Sequence, residues 1–391
     1  MKILVSNFGR QYTATLLAVL ERQGWLARFF TSLVANKFPA FLHWVFRKRA
    51  FDQIPASRIT HFPFLFLLER LLRKRFPKIS QCTGDLFDKA VARKLNTSPA
   101  QVVITYENTN RATMKIAKNL GKITMLDLAQ IHHNDIVRYG QWFLSSERLH
   151  AELTRVNPRK EAALKFTDYV CTLSTFAADS MIKNGWPASR LFILNLGIDP
   201  ERFSPKPNYA KSGPLQVLFV GTIMRRKGIE LLLDAVRNLP ENAVALRLIG
   251  PMGDAADLLR SHSGLFTYLP FQHHDALVRH YQEADVFVFP SLLDSWAQTV
   301  LEAMACGTPA IVTENTGAKD AVLQGGGWVI PANDRSALQA CLENLIADRT
   351  AIEIRGKKAQ QIARQYTWEH YSKQWTATLT EIARRENIPL Q

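Results

Sequence analysis

Short apolar runs, each closed by a glycine or a polar cluster, alternate along the chain with stretches of helical period. Lys2-Ile-Leu-Val-Ser6 reads as a buried strand ended by Asn7 and Gly9. A helical pattern follows over 12–23 and stops at Gly24. Strands are predicted over 101–106, 123–127, 168–174 and 191–194, with helices over 110–119 and 175–184 between them. A polar stretch with Pro205, Pro207, Gly213 and Pro214 then predicts a linker near 204–214. The alternation restarts beyond it. Strands are predicted over 215–220, 244–249, 286–289, 309–313 and 328–330, and helices over 228–239 and 299–306, the latter capped by Gly307. Strand–helix alternation with short loops implies α/β architecture, with parallel sheets covered by helices on both faces. Two doubly wound units are expected to face each other across a cleft, with ligands outside the C-terminal strand ends. The expected domains are 1–205 and 206–369, with a helix over about 370–391 packing back on the first.

The 391 residues, 47% hydrophobic and 21% charged, have ordinary globular usage. That argues against a disordered chain, a collagen or a coiled coil. Cys82, Cys171, Cys306 and Cys341 lie far apart and form no CxxC pair, so reduced thiols are expected and no zinc or dithiol site. The apolar run Ile3-Leu4-Val5 is too short for a signal peptide. The stretch Phe62–Leu68 meets Glu69 and Arg70 well before the ~20 apolar residues of a membrane span. A cytoplasmic protein is expected, soluble or peripheral on the inner face of the membrane.

Charge changes this picture locally. The net charge is +15, and residues 31–100 hold thirteen Lys/Arg against four acids. Between 37 and 78 these cations interleave with apolar residues, as in Phe62–Leu68 running into Arg73-Lys74-Arg75-Phe76. Apolar anchors beside a basic cluster suit an anionic membrane surface. A solvated helix face over core aromatics is the plainer alternative. No zinc finger, aromatic RNA-binding motif or helix-turn-helix is present, and nucleic acid is not an expected partner.

Three constellations follow predicted strands of the second half. In Phe219-Val-Gly221-Thr222-Ile-Met-Arg225-Arg226-Lys227-Gly228 a glycine ends the strand and three cations precede a helix. Such a turn can neutralise a diphosphate, because a helix start favours anions and glycine admits close approach. An exposed basic turn is the bland alternative. In Pro290-Ser291-Leu-Leu-Asp294-Ser-Trp-Ala297-Gln298-Thr299-Val-Leu-Glu302 the loop carries Asp294 and a helix begins near 297–298. The N–H groups of 297–299 would face the cleft. Glu302, one turn on, can accept from both hydroxyls of a ribose, or pair with a lysine on a neighbouring helix. Asp294 can accept from sugar hydroxyls beyond the phosphates. The third, Leu248-Ile-Gly250-Pro-Met-Gly253, is a common strand–glycine turn.

Taken together, Val220-Gly221, Lys227-Gly228, Pro290-Ser291 and Glu302-Ala-Met-Ala-Cys-Gly-Thr-Pro309 resemble the family 4 retaining glycosyltransferases of GT-B fold, also called glycosyl transferases group 1. Ser174–Phe203, Thr316-Gly317 and the tail through Trp368 and Trp375 extend the resemblance. Two positions depart from the family pattern. Thr222 stands where the family usually has Arg, with Arg225 or Arg226 placed to compensate, and Asp294 stands where it usually has Glu. The resemblance implies retaining transfer from a nucleoside-diphosphate sugar to a glycan or lipid-linked acceptor, in cell-surface polysaccharide or glycolipid synthesis. Gly9 resembles the family's glycine loop against the donor phosphates. His132, with His133 as fallback, resembles the histidine that approaches the transferred sugar. The catalytic candidates are thus His132, Asp294, Lys227 and Arg226. Donor contacts are expected from Gly9, Gly221, Thr222, Arg226, Lys227, Gly250, Ser291, Ala297, Gln298, Thr299 and Glu302. No Asp-x-Asp motif ends a strand, so no metal and no cofactor are expected. A non-catalytic nucleotide-sugar-binding subunit or a sugar-nucleotide epimerase is the alternative.

Overall fold

The structure, a computed structural model, describes residues 1–9, 12–37, 51–73, 75–76, 78–209 and 212–390. Arg10 and Gln11 beside Gly9, and residues 38–50, 74 and 77 of the basic aromatic segment, lie outside the described residues.

Two parallel sheets form the framework. The first holds β1 (Ile3–Ser6), β2 (Leu26–Thr31), β3 (Ile59–His61), β4 (Val102–Tyr106), β5 (Ile123–Leu128), β6 (Tyr169–Thr172) and β7 (Leu191–Ile193). Its order is β3-β2-β1-β4-β5-β6-β7, parallel throughout. The second holds β8 (Leu215–Val220), β9 (Val244–Ile249), β10 (Phe266–Leu269), β11 (Val286–Phe289), β12 (Ala310–Thr313) and β13 (Gly327–Ile330). Its order is β10-β9-β8-β11-β12-β13, again parallel. In each sheet the winding reverses beside the first strand, at β1/β4 and at β8/β11. Such a switch point opens a crevice at the C-terminal strand ends.

The ten strands predicted from the periodicity are all present. β2, β3 and β10 are additional. Arg28 interrupts β2. β3 and β10 are edge strands only three and four residues long and half-buried, so neither carries a continuous apolar run. In the second core Phe219 and Phe289 stack at 5.6 Å. Burying each such ring stabilises by about 1.5–3 kcal/mol.

The segment 204–214 was expected to be a bare linker, yet part of it is clamped to the C-terminal lobe. Lys206 is buried, its N–H donates to Cys306 O at 2.9 Å and its ammonium donates to Ala284 O. The Tyr209 ring lies against Gly307 and Gly356. The aliphatic stem of Lys206 and the Tyr209 ring supply apolar surface that a composition count misses.

The chain crosses between the lobes twice, and the crossings touch: Ile198 N–H donates to Tyr366 O at 2.9 Å. The last helix, Trp368–Arg385, then lies against the first, Thr13–Arg22. Tyr169 OH donates to Glu386 at 2.5 Å, and Trp25 Nε1 donates to Leu390 O at 3.3 Å. Among the described residues no helix is long and apolar enough to cross a membrane, and the four cysteines form no disulfide.

Candidate functional site

β8 delivers the chain to Gly221, and the turn Arg225–Lys227 follows. Gly228 closes it at φ 72°, where a Cβ would meet Pro290 O at 1.9 Å. Only glycine permits both that backbone and that approach. Ser291 and Leu292 fix the turn from below: Ser291 Oγ donates to Arg226 O at 3.2 Å and Leu292 N–H to the same oxygen at 2.9 Å. Ser291 is fully buried, so it holds the turn rather than presenting a hydroxyl to the cleft. Gly250 packs on Gly221, where a Cβ would come within 2.1 Å of Gly221 O.

The three cations of the turn separate. Arg225 faces carboxylates: its guanidinium pairs with Asp257 and with Glu230 at 3.2 Å, and its N–H donates to Asp254 at 2.9 Å. It is therefore not the substitute for an arginine at Thr222 that its position in sequence suggests. Arg226 donates to Leu293 O and lies 3.9 Å from Asp294 Oδ2, bracing the next loop. Lys227 is different. Its ammonium lies 4.9 Å from the centroid of the Phe289 ring and close to Gly221. Burial lowers its pKa, partly opposed by the negative charge of Asp294. Among the described residues nothing gives it a hydrogen bond or an ion pair. A desolvated cation over an aromatic face, beside a glycine, is prepared for an anion.

The loop after β11 crosses to the other lobe. Leu293 packs among Ile131, Ile136 and Phe176. Ser295 Oγ donates to Ala129 O at 2.5 Å, and Ser174 Oγ donates to Ser295 O at 2.8 Å. Asp294 Oδ1 accepts from Trp296 N–H at 3.2 Å, which sets the loop's bend. The helix Gln298–Ala305 starts from Ala297, a non-glycine residue at φ 65° and ψ 71°. That conformation costs about 1–3 kcal/mol. The N–H groups of 297–299 have no protein acceptor among the described residues, which leaves a positive helix end. The Gln298 side chain donates to Gly197 O at 2.7 Å and so ties this helix to the interlobe crossing.

Glu302 is almost completely buried, and burial raises its pKa. Among the described residues no lysine pairs with it. Tyr281 OH donates to Oε2 at 2.8 Å, while Oε1 lies 3.8 Å from Nδ1 of the half-exposed His274. One oxygen is thus engaged by the protein, and Oε1 is the one without a hydrogen bond. Tyr281 sits at an ordinary apolar helix position, and nothing in the sequence marks it as the residue that orients Glu302.

In the N-terminal lobe β5 leads to His132, the N-cap of the helix His133–Gly140. Its Nδ1 accepts from Asn134 N–H at 3.2 Å, which places the ring proton on Nε2. Its backbone N–H donates to Ser180 Oγ at 3.1 Å. Burial lowers the pKa to about 4, so the ring is neutral at neutral pH. His133 stacks on it at 4.0 Å but gives its Nε2 to Glu161 at 3.2 Å. The two imidazoles therefore differ, with His133 engaged and His132 keeping one N–H. Their nitrogens and a Glu161 oxygen lie within 4.8 Å of one another and could hold a metal ion, although the positive charge of Lys160 opposes one. Gly9 has its contacts within its own lobe: its N–H donates to Asn7 Oδ1 at 2.9 Å, and its carbonyl accepts from Thr31 at 3.3 Å.

Comparison with known proteins places these features. Residues 201–366 match the family model described as glycosyl transferases group 1. The chain is 28% identical over 200 residues to the putative colanic acid biosynthesis glycosyltransferase WcaL of Escherichia coli (strain K12), covering 48% of this chain and 49% of that protein. It spans about half the length of the curated relatives it matches. Over nearly its whole length it resembles solved structures. Sucrose-phosphate synthase from Thermosynechococcus elongatus superposes with TM-score 0.70 at 19% identity, covering 98% of this chain and 100% of that one. Anabaena HepE in complex with UDP-glucose gives 0.66 at 16% identity, covering 97% and 100%. The architecture is GT-B, and the match to glycosyl transferases group 1 falls on the C-terminal lobe and the crossings that lead into and out of it.

Proposed function

We propose that this protein transfers a sugar, with retention and without a metal ion, from a nucleoside-diphosphate sugar to a glycan or lipid-linked acceptor in cell-surface polysaccharide or glycolipid synthesis. One observation carries the reading: among the described residues the ammonium of Lys227 makes no hydrogen bond or ion pair, with only the charge of Asp294 nearby, and it lies in the same lobe as the N–H groups of 297–299 that have no acceptor there. A diphosphate satisfies both. The family match and a structural neighbour that holds UDP-glucose support it.

In this reading residues 206–369 hold the donor and residues 1–205 the acceptor. Breaking the anomeric C–O bond leaves negative charge on the diphosphate. Lys227 and the helix N–H groups take up that charge as it develops. Arg226 holds the 293–294 loop in place and reaches the phosphate only through that support. Oε1 of Glu302, which makes no hydrogen bond among the described residues, accepts from a ribose hydroxyl. Asp294 and the Nε2–H of His132 orient the sugar. The basic Nδ1 is held by Asn134 N–H, so the ring donates there through Nε2–H, and the leaving phosphate oxygen receives the acceptor's proton on the same face.

The test is a thermal-shift screen against UDP-, GDP-, ADP- and TDP-sugars. A donor at 100 times its Kd adds about 2.7 kcal/mol. One nucleotide is expected to shift the wild type but neither Lys227→Ala nor Glu302→Ala. If no donor shifts the wild type, or if both variants shift as it does, the reading fails.

An acceptor at the cytoplasmic face of the membrane follows from the outer side of the N-terminal lobe. No residue of the helix Pro63–Leu72 is buried. Phe64 and Leu71, on one stripe, are 72% and 76% exposed. Arg70, Arg73, Arg75 and Lys78 stand beside them. An apolar stripe rimmed by cations suits an anionic bilayer surface. At the helix start, Phe62 and Leu65 pack with Phe8 and Phe87, directly beside Gly9.

A further inference from the structure

Beyond the turn and helix described above, two adjoining hollows of about 610 and 490 Å³ form a trough between the lobes. They share Trp142, Arg225 and Glu230. One wall is the segment 141–148 of the N-terminal lobe, and the other belongs to the C-terminal lobe. Gly228 and Leu292 contribute to the lining, so the trough adjoins the turn that carries Lys227. It holds neither Lys227 nor Glu302, and the donor reading makes no use of it.

We propose that this trough binds uncharged sugar units of the acceptor glycan, with Trp142 as the stacking platform. The proposal rests on the glycosyl-transfer reading and extends it to the acceptor. Trp142 is 42% exposed, large for a ring of its apolar area. It is held in place rather than loose. Its N–H donates to Tyr139 O at 3.1 Å, and its ring lies 5.4 Å from the Tyr139 ring. The neighbouring Phe143 packs against the cluster of Ile131, Phe176 and Leu293 that joins the lobes. A pyranose ring offers an apolar C–H face to an aromatic plane and hydroxyls at its rim to carboxylates and guanidinium groups. The trough supplies that combination, with Glu230 and Asp334 among the rim groups.

Charge selects among ligands. Three arginines line the trough against four carboxylates, in a chain of net charge +15. Arg225 is already paired with Asp257 and Glu230. A phosphate or a lipid headgroup gains little there, whereas a neutral polyol loses nothing to repulsion. Position selects the role. The eight-residue helix His133–Gly140 separates His132 from Trp142, a rise of ~12 Å. The sugar on Trp142 is therefore remote from the unit being glycosylated, and it fixes the register of a chain already built.

The test uses full-length protein and a printed array of neutral oligosaccharides of two to eight units. Wild type is expected to bind at least one series, with signal rising beyond the shortest members. Trp142→Ala should lose at least ten-fold, and Trp142→Phe should recover most of that. No binding to any neutral glycan, or undiminished binding by Trp142→Ala, overturns the proposal. Binding is read without turnover, so this result is independent of whether transfer occurs. With a glycan identified in this way, Trp142→Ala should raise KM for the long acceptor and leave KM for the donor unmoved. A shift in the donor KM instead would assign Trp142 to the donor site and also overturn it.

Discussion

Both lobes reverse their winding beside the first strand, at β1/β4 and at β8/β11, but the two strand ends are finished in opposite ways. In the C-terminal lobe that end is open and positive: Gly221, and, among the described residues, an ammonium with no hydrogen bond or ion pair and a helix start whose N–H groups have no acceptor. In the N-terminal lobe it is filled and acidic. Asp127 near the end of β5 is buried and accepts from Tyr12 OH at 3.0 Å. Tyr106 at the end of β4 and Tyr371 from the last helix lie close to it, with the Trp375 ring packed on Tyr371. Asp127 Oδ2, Tyr106 OH, Tyr371 OH, Trp375 Nε1 and Ser6 Oγ are all buried and, among the described residues, none makes a hydrogen bond of good geometry. The same topology therefore yields an open crevice in one lobe and a packed joint in the other. What decides is whether another element fills the crevice, and here the C-terminal helix does.

The largest expected effect breaks or confirms that packing. Desolvation raises the Asp127 pKa to about 7, against an ordinary ~3.9 in an unfolded chain. Between these values the folded state holds a proton that the unfolded state has released, so stability falls as pH rises from ~4 to ~7. The loss is on the order of 4 kcal/mol. Asp127→Asn should flatten that slope and raise Tm at pH 7.5, measured by denaturant unfolding across the range. A variant with an unchanged slope would mean that the carboxylate is hydrated and the joint is not filled.

Next comes the open crevice. Lys227→Ala should lower turnover ~10²-fold or more, equivalent to ~2.7 kcal/mol of transition-state stabilisation, while far-UV circular dichroism stays unchanged. Near-normal turnover would remove the difference between the two crevices.

A smaller effect is expected on the outer face. Phe64→Ser with Leu71→Ser should weaken flotation with phosphatidylglycerol vesicles ~10-fold or more, since each buried apolar side chain contributes about 1.5–3 kcal/mol. Binding should fall with salt as charges are screened. Equal flotation of the double variant would assign any membrane contact elsewhere.

The smallest concerns strain. Ala297→Gly relieves the left-handed backbone and should change stability by about 1 kcal/mol or less, because glycine's gain there is offset by its greater freedom when unfolded. A loss above ~2 kcal/mol by thermal unfolding would show that the Ala297 methyl group packs rather than strains.

Much of the candidate site in the C-terminal lobe was legible in sequence because its signals are local. Gly228 follows three cations and precedes a helix, and Ala297–Glu302 share one turn and the next. Individual duties were less legible. Arg225, Arg226 and Lys227 are equivalent as letters, but Asp254, Asp257 and Glu230 claim the first, Leu293 O holds the second and only the third is left open. Ser291 reads as a ligand contact and serves the backbone instead. The His132–His133 pair left two candidates until Glu161, 28 residues on, was seen to hold one of them.

By itself, the sequence determined the alternation of strands and helices, the two-lobed α/β class and the places where the chain turns with cations or glycines. These follow from the period of apolar residues and from backbone preferences, both set by near neighbours. Only the tertiary structure decided which crevice stays open, and, among the described residues, which cation makes no hydrogen bond or ion pair and which oxygen of Glu302 accepts no hydrogen bond. Those outcomes depend on burial and pairing between groups far apart in the chain. Tyr371 closes over Tyr12, Ser295 reaches Ala129, and Tyr281 orients Glu302, and no local pattern encodes such meetings.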